Sequence, residues 1–124
     1  DEGVTVIAAH GCSSGLVVYE RYVPTFLNLV RRYANFFADV SALTLPNRFG
    51  MLLRLRRYPE THGRLLFGTD YPHLVFRWPC RGRAGAGRLR DISRTDNRFD
   101  KQYLFLKDLG VGFRSLEGLL RISA

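Results

Sequence analysis

Short apolar runs alternate with stretches whose apolar residues recur every three or four positions. Val4-Thr5-Val6-Ile7-Ala8-Ala9 is nearly all apolar and β-branched at its first four positions. A run of that kind predicts a strand buried on both faces, as in a parallel sheet. The small, polar stretch His10-Gly11-Cys12-Ser13-Ser14-Gly15 predicts a loop at its C-terminal end. From about Val17 to Tyr33 the residues Tyr22, Phe26, Leu29, Val30 and Tyr33 follow helical spacing. Pro24 is tolerated in a first turn, so the helix proper is placed near it, with Arg31 and Arg32 at the end that favours positive charge.

Asn35 breaks this helix, and Phe36-Phe37-Ala38-Asp39-Val40-Ser41 predicts a second strand. A second helix is expected from about Arg48 to Tyr58, with Phe49, Leu52, Leu53 and Arg56 on one face and Pro59 and Gly63 ending it. Arg64-Leu65-Leu66-Phe67-Gly68 predicts a third strand, running into Thr69-Asp70-Tyr71-Pro72-His73. Strands alternating with helices predict βαβ units and a parallel sheet, with chemistry at the C-terminal ends of the strands.

The pattern then changes. Residues 77–98 are rich in Arg and Gly, and Gly85-Ala86-Gly87 is too small to pack, which predicts one long loop. Asp100 to Leu109 is read as a helix anchored by Tyr103, Leu104 and Leu106, ended by Gly110 and Gly112. Ser115 is placed as the N-cap of a last helix reaching Arg121 and burying Leu116, Leu119 and Leu120.

Two constellations carry candidate chemistry, Ala9-His10-Gly11 after the first strand and Gly68-Thr69-Asp70-Tyr71-Pro72 after the third. Together with Phe37-Ala38-Asp39-Val40-Ser41-Ala42-Leu43 and the Arg64-Leu65-Leu66-Phe67 run, they resemble the amidohydrolase-related (amidohydrolase 2) metal-dependent hydrolases, a TIM-barrel family that includes some decarboxylases. The likeness runs to about His73 and is thin beyond it.

The resemblance implies an α/β fold, a partial (β/α)8 TIM barrel built from the last three β/α units plus C-terminal helices. Residues 1–124 would form the C-terminal part of an amidohydrolase-like barrel domain. The three strands would be the sixth, seventh and eighth of the barrel. Asp70 matches the aspartate that ligates the catalytic metal and handles the proton of the attacking water. His10 matches the histidine that acts as acid/base or on the substrate and in some members touches the metal. His73 is a candidate substrate-binding residue, with an exposed loop histidine as the plainer reading. The implied cofactor is a divalent metal, zinc before others, and the implied substrate is a small molecule. A metal-bound water ionises near neutral pH, a neighbouring carboxylate can take its proton, and a histidine titrates in the same range.

The chain departs from the family by its size, since a complete barrel takes roughly 250 residues. His10, His62 and His73 are its only histidines, so the family's H-x-H pair is missing. One histidine and one carboxylate make no complete metal site, so the chain alone is expected to bind metal weakly or not at all. Asp39 shares a strand face with Phe37 and Ser41 and is read as satisfying loop amides rather than as a site residue. His62 precedes the third strand and is assigned no role. Cys12 stands two residues after His10 but has no orienting third group, so a small buried thiol is expected rather than a nucleophile.

Net charge is +8, and among nineteen basic residues only Lys101 and Lys107 are lysine. Such a balance suits an anionic partner or reflects an arginine-favouring composition. A basic nucleic-acid-binding module, with Trp78 beside the arginines, is therefore an alternative class, and a catalytically inactive truncated remnant is another. Cys12 and Cys80 match no zinc or C-x-x-C pattern, which points to reduced thiols and a cytoplasmic setting. No apolar run reaches about 20 residues, so no membrane partner is expected. Asp1 and Glu2 do not begin a signal peptide, and the lack of an initial Met points to sequence upstream.

Three barrel strands alone would leave two open sheet edges and an uncovered inner face, which invites self-association. Sedimentation of the isolated chain should show oligomers; a single monomeric species would contradict the fragment reading.

Overall fold

The computed structural model describes residues 3–15, 20–73, 75–76 and 86–114, with residues 86–88 described in their backbone alone. The described residues form a mixed α/β unit around one three-stranded parallel sheet. The strands are β1 (Val6–Ala8), β2 (Phe36–Asp39) and β3 (Leu65–Leu66), in the order β1-β2-β3. Val6, Ile7 and Ala8 pair with Phe36, Phe37 and Ala38, while Ala38 and Asp39 pair with Leu65 and Leu66. The intervening helices are α1 (Val23–Arg32) and α2 (Phe49–Leu55), and α3 (Ala86–Arg94) and α4 (Arg98–Asp108) follow.

Alternation along the strands divides the sheet into two faces. Phe36, Ala38, Val40 and Leu65 belong to the main core. Helix α1 adds Val23, Phe26 and Val30 to it, α2 adds Phe49, Met51, Leu52 and Leu55, and α4 adds Phe105 and Leu106. Phe37 and Leu66 point the other way and are also buried. The Phe37 ring lies under two guanidinium groups, with Arg64 Cζ at 5.2 Å and Arg114 Cζ at 5.9 Å from its centroid. This second face of the sheet is therefore covered at its centre, where an uncovered face was expected.

Of the two sheet edges expected to be open, the β1 edge is open and the β3 edge is not. Beyond β3 the chain returns and extends the parallel pairing through a Leu66–Arg114 bridge. Arg114 N donates to Leu65 O at 2.7 Å, and Phe67 N donates to Arg114 O at 3.2 Å. On the opposite edge β1 is not buried on both faces. Val4, Val6 and Ile7 are 61%, 47% and 45% exposed. Composition predicted the strand correctly but not its place at the sheet's margin, where one neighbour is missing.

The regular elements are shorter than their apolar patterns. Pro24 lies in the first turn of α1, and Arg31 and Arg32 lie in its last, as predicted. Residues 16–19 of the longer helical stretch lie outside the described residues. Helix α2 stops at Leu55, short of the expected end at Tyr58, and a 3-10 turn, Pro59–Arg64, follows. There His62 Nε2 lies 3.0 Å from Leu55 O, and Gly112 N donates to His62 Nδ1 at 3.0 Å. His62 therefore joins the end of α2 to the segment before Arg114. It has a structural job where none was assigned.

The C-terminal half corrects two further expectations. The proposed loop over 77–98 contains helix α3, which packs on α4. Ile92 is buried and Leu89 packs against the core, so two apolar residues three apart anchor a helix whose other positions are mostly polar. Residues 77–85, with Trp78 and Cys80, lie outside the described residues, as does the expected helix from Ser115 to Arg121. In α4 the buried positions are Gln102, Phe105 and Leu106, while Leu104 is exposed. Tyr103 is an anchor of another kind, edge-on to Phe67 at 5.6 Å and to Phe113 at 5.2 Å. Asn97 caps the helix by accepting from Phe99 N at 2.9 Å. No helix among the described residues is long and apolar enough to cross a membrane.

These burial differences predict unequal costs within one turn. Phe105→Ala should lower unfolding free energy by about 3–5 kcal/mol, as for large core truncations. Leu104→Ala should cost under about 1 kcal/mol. Urea titration of the two variants against the parent checks the assignment, and equal losses would contradict it.

Candidate active site

The parallel register brings the ends of β1, β2 and β3 side by side. β1 runs into a 3-10 turn, Ala9–Cys12, in which His10 and Gly11 adopt left-handed backbone angles, φ 54° and 61°. Cys12 follows at φ 63°. Glycine suits such a position, and at Gly11 an added Cβ would also press on Leu43 Cδ1 and Met51 Cγ at 3.4 Å. Histidine and cysteine pay about 1 kcal/mol or more there. The turn is held from the neighbouring strand, because His10 N donates to Asp39 Oδ1 at 3.0 Å.

Asp39 ends β2 and accepts on the same oxygen from Ser41 N at 2.9 Å. Ser41 Oγ donates to that oxygen as well. The expectation that Asp39 satisfies loop amides is met, and the amides belong to two strand ends. The His10 ring turns toward the same group, with Nδ1 2.9 Å from Ser41 Oγ and 3.2 Å from Ser41 O.

Asp70 follows β3, again at a left-handed φ of 55°. Its Oδ2 lies 4.0 Å from His10 Nε2 and 3.5 Å from His73 Nδ1. His73 Nδ1 is also 2.8 Å from Asp70 O, and a carbonyl can only accept, so this nitrogen carries the proton. The three residues singled out from sequence, His10, Asp70 and His73, thus come together. Asp39 and Ser41 join them. Their signal in the sequence was an alternating polar pair on a strand face that also carries Phe37.

The Asp70 segment is set by close contacts from two sides. Gly68 passes so near Ser41 that a Cβ would fall 3.2 Å from the serine Cβ. The buried Gln102 of α4 donates through Nε2 to Gly68 O at 3.0 Å. Tyr71 stacks on Phe99 with ring centroids 5.9 Å apart. No local feature marked Gln102 in the sequence, since its meaning comes only from where α4 lies.

Backbone strain concentrates here. Among the described residues, the non-glycine positive φ values fall at His10, Cys12, Ala42 and Asp70, each just beyond the end of a strand. Strain of this kind persists where surrounding structure over-determines it, and it clusters at functional sites. A pocket between α3 and α4, about 510 Å³ and lined by Asp91, Ile92, Thr95, Leu104, Lys107 and Asp108, shares no residue with this cluster.

The donor set fits a metal ion only in part. His10 Nε2 and Asp70 Oδ2 are the right atom types and face one another. Among the described residues, however, no group of three His, Cys, Asp or Glu side chains is placed to hold an ion. His10 Nδ1 is already engaged with Ser41.

Cys12 packs against the core beside this cluster. Burial, and then the negative charge of Asp39, push its thiol above the usual cysteine range. That supports the expected inert thiol over a nucleophile. Comparison of the chain with protein-family models, curated proteins and solved structures gives no match.

The raised thiol has a signed consequence for stability. A group whose folded pKa exceeds its unfolded value stabilises the fold below the unfolded pKa, and that contribution is lost as pH rises through the folded value. The stability difference between the parent and Cys12→Ala should therefore be constant in neutral buffer and fall above about pH 8.5. Denaturant titrations across this window check it; a difference that stayed flat would show an unshifted thiol.

Proposed function

We propose that this chain carries the C-terminal part of the active site of a metal-dependent hydrolase of the amidohydrolase-related kind. In this reading its strands are the last three β/α units of a (β/α)8 barrel. The reaction is hydrolysis of a C–N or C–O bond, or decarboxylation, of a small carboxylic acid or related molecule. The observation that carries the reading is the meeting of His10 Nε2 and Asp70 Oδ2 at 4.0 Å. They come from opposite strands of a parallel sheet, at the ends where such folds keep their chemistry.

Asp70 and His10 would supply a carboxylate oxygen and an imidazole nitrogen to a divalent ion, zinc first. The remaining donors would come from outside the described residues. When bound, such an ion makes hydroxide available near neutral pH. Asp70 takes the proton of the attacking water through its carboxylate. Where Nε2 of His10 is not on the ion, it holds or returns a proton there for the leaving group. His73, whose Nδ1–H donates to Asp70 O, keeps the Nε2 lone pair free to accept from a substrate N–H or O–H. The strained backbone at His10 and Asp70 supports this division of labour, since both side chains are held where relaxed loops would not put them.

The test is to express the complete reading frame around this segment and assay small amides, esters and carboxylic acids with zinc supplied. Asp70→Asn and His10→Gln should each lower kcat at least about 100-fold, the usual scale for a lost acid/base group. An active protein indifferent to both substitutions overturns the reading. So does a frame that opens at Asp1, encodes no H-x-H pair and yields no turnover.

A further inference from the structure

We infer that Asp39 and Ser41 are positioning residues that fix His10 as its Nδ1–H tautomer, leaving Nε2 as the bare nitrogen facing Asp70. The argument follows from which atoms can donate. Asp39 Oδ1 receives His10 N at 3.0 Å and Ser41 N at 2.9 Å, and backbone N–H groups only donate, so this oxygen acts as an acceptor. The hydroxyl of Ser41 spends its one proton on the same oxygen. Only lone pairs of Ser41 Oγ then remain for His10 Nδ1, 2.9 Å away. Independently, Ser41 O lies 3.2 Å from Nδ1, and a carbonyl oxygen has no proton to give. Both neighbours of Nδ1 are acceptors, so Nδ1 must carry the hydrogen.

The consequence falls on the other side of the ring. In the neutral imidazole Nε2 keeps its lone pair, and it faces Asp70 Oδ2, a second electron-rich atom, across 4.0 Å. Two such atoms are held together favourably only by something positive or protic between them. The gap selects a cation or a hydrogen-bond donor, such as a water or a substrate N–H or O–H, and it rejects an anionic group. Free histidine in water holds its proton mostly on Nε2, so the relay inverts the intrinsic preference. His10 is thereby set as a base or ligand in the resting site and acts as an acid only after taking up a proton. This deepens the hydrolase reading and rests on it for the chemical consequence, but the tautomer itself does not.

The experiment is long-range ¹H–¹⁵N correlation on the uniformly ¹⁵N-labelled chain, in alkaline buffer where imidazoles are neutral and without substrate or metal. The other histidines calibrate the spectrum. His62 accepts at Nδ1 from Gly112 N and faces Leu55 O with Nε2, so it should give the Nε2–H pattern. His10 should give the opposite, Nδ1–H pattern. In Ser41→Ala the Nδ1–H to Nε2–H ratio at His10 should fall about fivefold, the effect of one hydrogen bond of ordinary net strength. Ser41→Thr, which keeps the hydroxyl, should restore it, and His62 should not move in either variant. An Nε2–H pattern at His10 in the parent overturns the inference. So does a ratio in Ser41→Ala equal to the parent's while the amide spectrum shows an intact fold. Loss of hydrolase activity in the complete protein has no bearing on these patterns, so failure of the two readings is distinguishable.

Discussion

Oδ1 of Asp39 accepts hydrogen bonds from His10 N, Ser41 N and Ser41 Oγ, and through them one oxygen ties the end of β1 to the end of β2. Backbone N–H groups just beyond a strand have no ladder partner, and leaving one partly buried without an acceptor costs about 1–3 kcal/mol. A carboxylate is suited to the task because it accepts several bonds at once and strengthens each by its charge. The same charge reaches Cys12 and adds to the burial that keeps the thiol protonated. Structural and chemical roles are thus not separable at this residue. The group that closes the loops also orients the ring that would do chemistry.

The strained residues show what that closure accomplishes. His10, Cys12, Ala42 and Asp70 hold left-handed angles that non-glycine side chains resist. Around Gly11, between His10 and Cys12, Leu43, Met51 and Leu55 are fully buried, and they contribute favourable burial of roughly 1.5–3 kcal/mol for each such side chain. The sheet and its helices therefore supply the stability, and the strand ends use part of it to hold side chains in unfavourable backbone states.

Much of this architecture is written in local patterns. The runs around Val6, Phe37 and Leu66 are short, apolar and separated by helical spacing, and all three became parallel strands. Pro24 marks a helix start for a reason visible within a few residues. What could not be read depends on distant neighbours. The Val4–Ala9 run has the composition of a central strand, yet it lies at an edge. Helix α3 hides among arginines because Leu89 and Ile92 alone give it a buried side. At the candidate site, His10 and Asp70 were legible from their motifs. The partnership of His10 with Asp39 and Ser41 spans about thirty residues and exists only through the register of β1 on β2. Gln102 carries no local mark, because its amide acquires meaning only against Gly68 O.

That last contact has a consequence for the order in which the chain is made. Gly68, Asp70 and Tyr71 leave the ribosome before Phe99 and Gln102, the residues that stack on Tyr71 and bond the Gly68 carbonyl. The strands and the first two helices can associate as they emerge, since their contacts lie earlier in the sequence. The aspartate's loop has to wait for α4. A polypeptide stalled between residue 73 and α4 would hold the part of the core that the sheet, α1 and α2 build and lack its carboxylate in place, so α4 brings the last of the core, Phe105 and Leu106, together with the contacts that complete the candidate site.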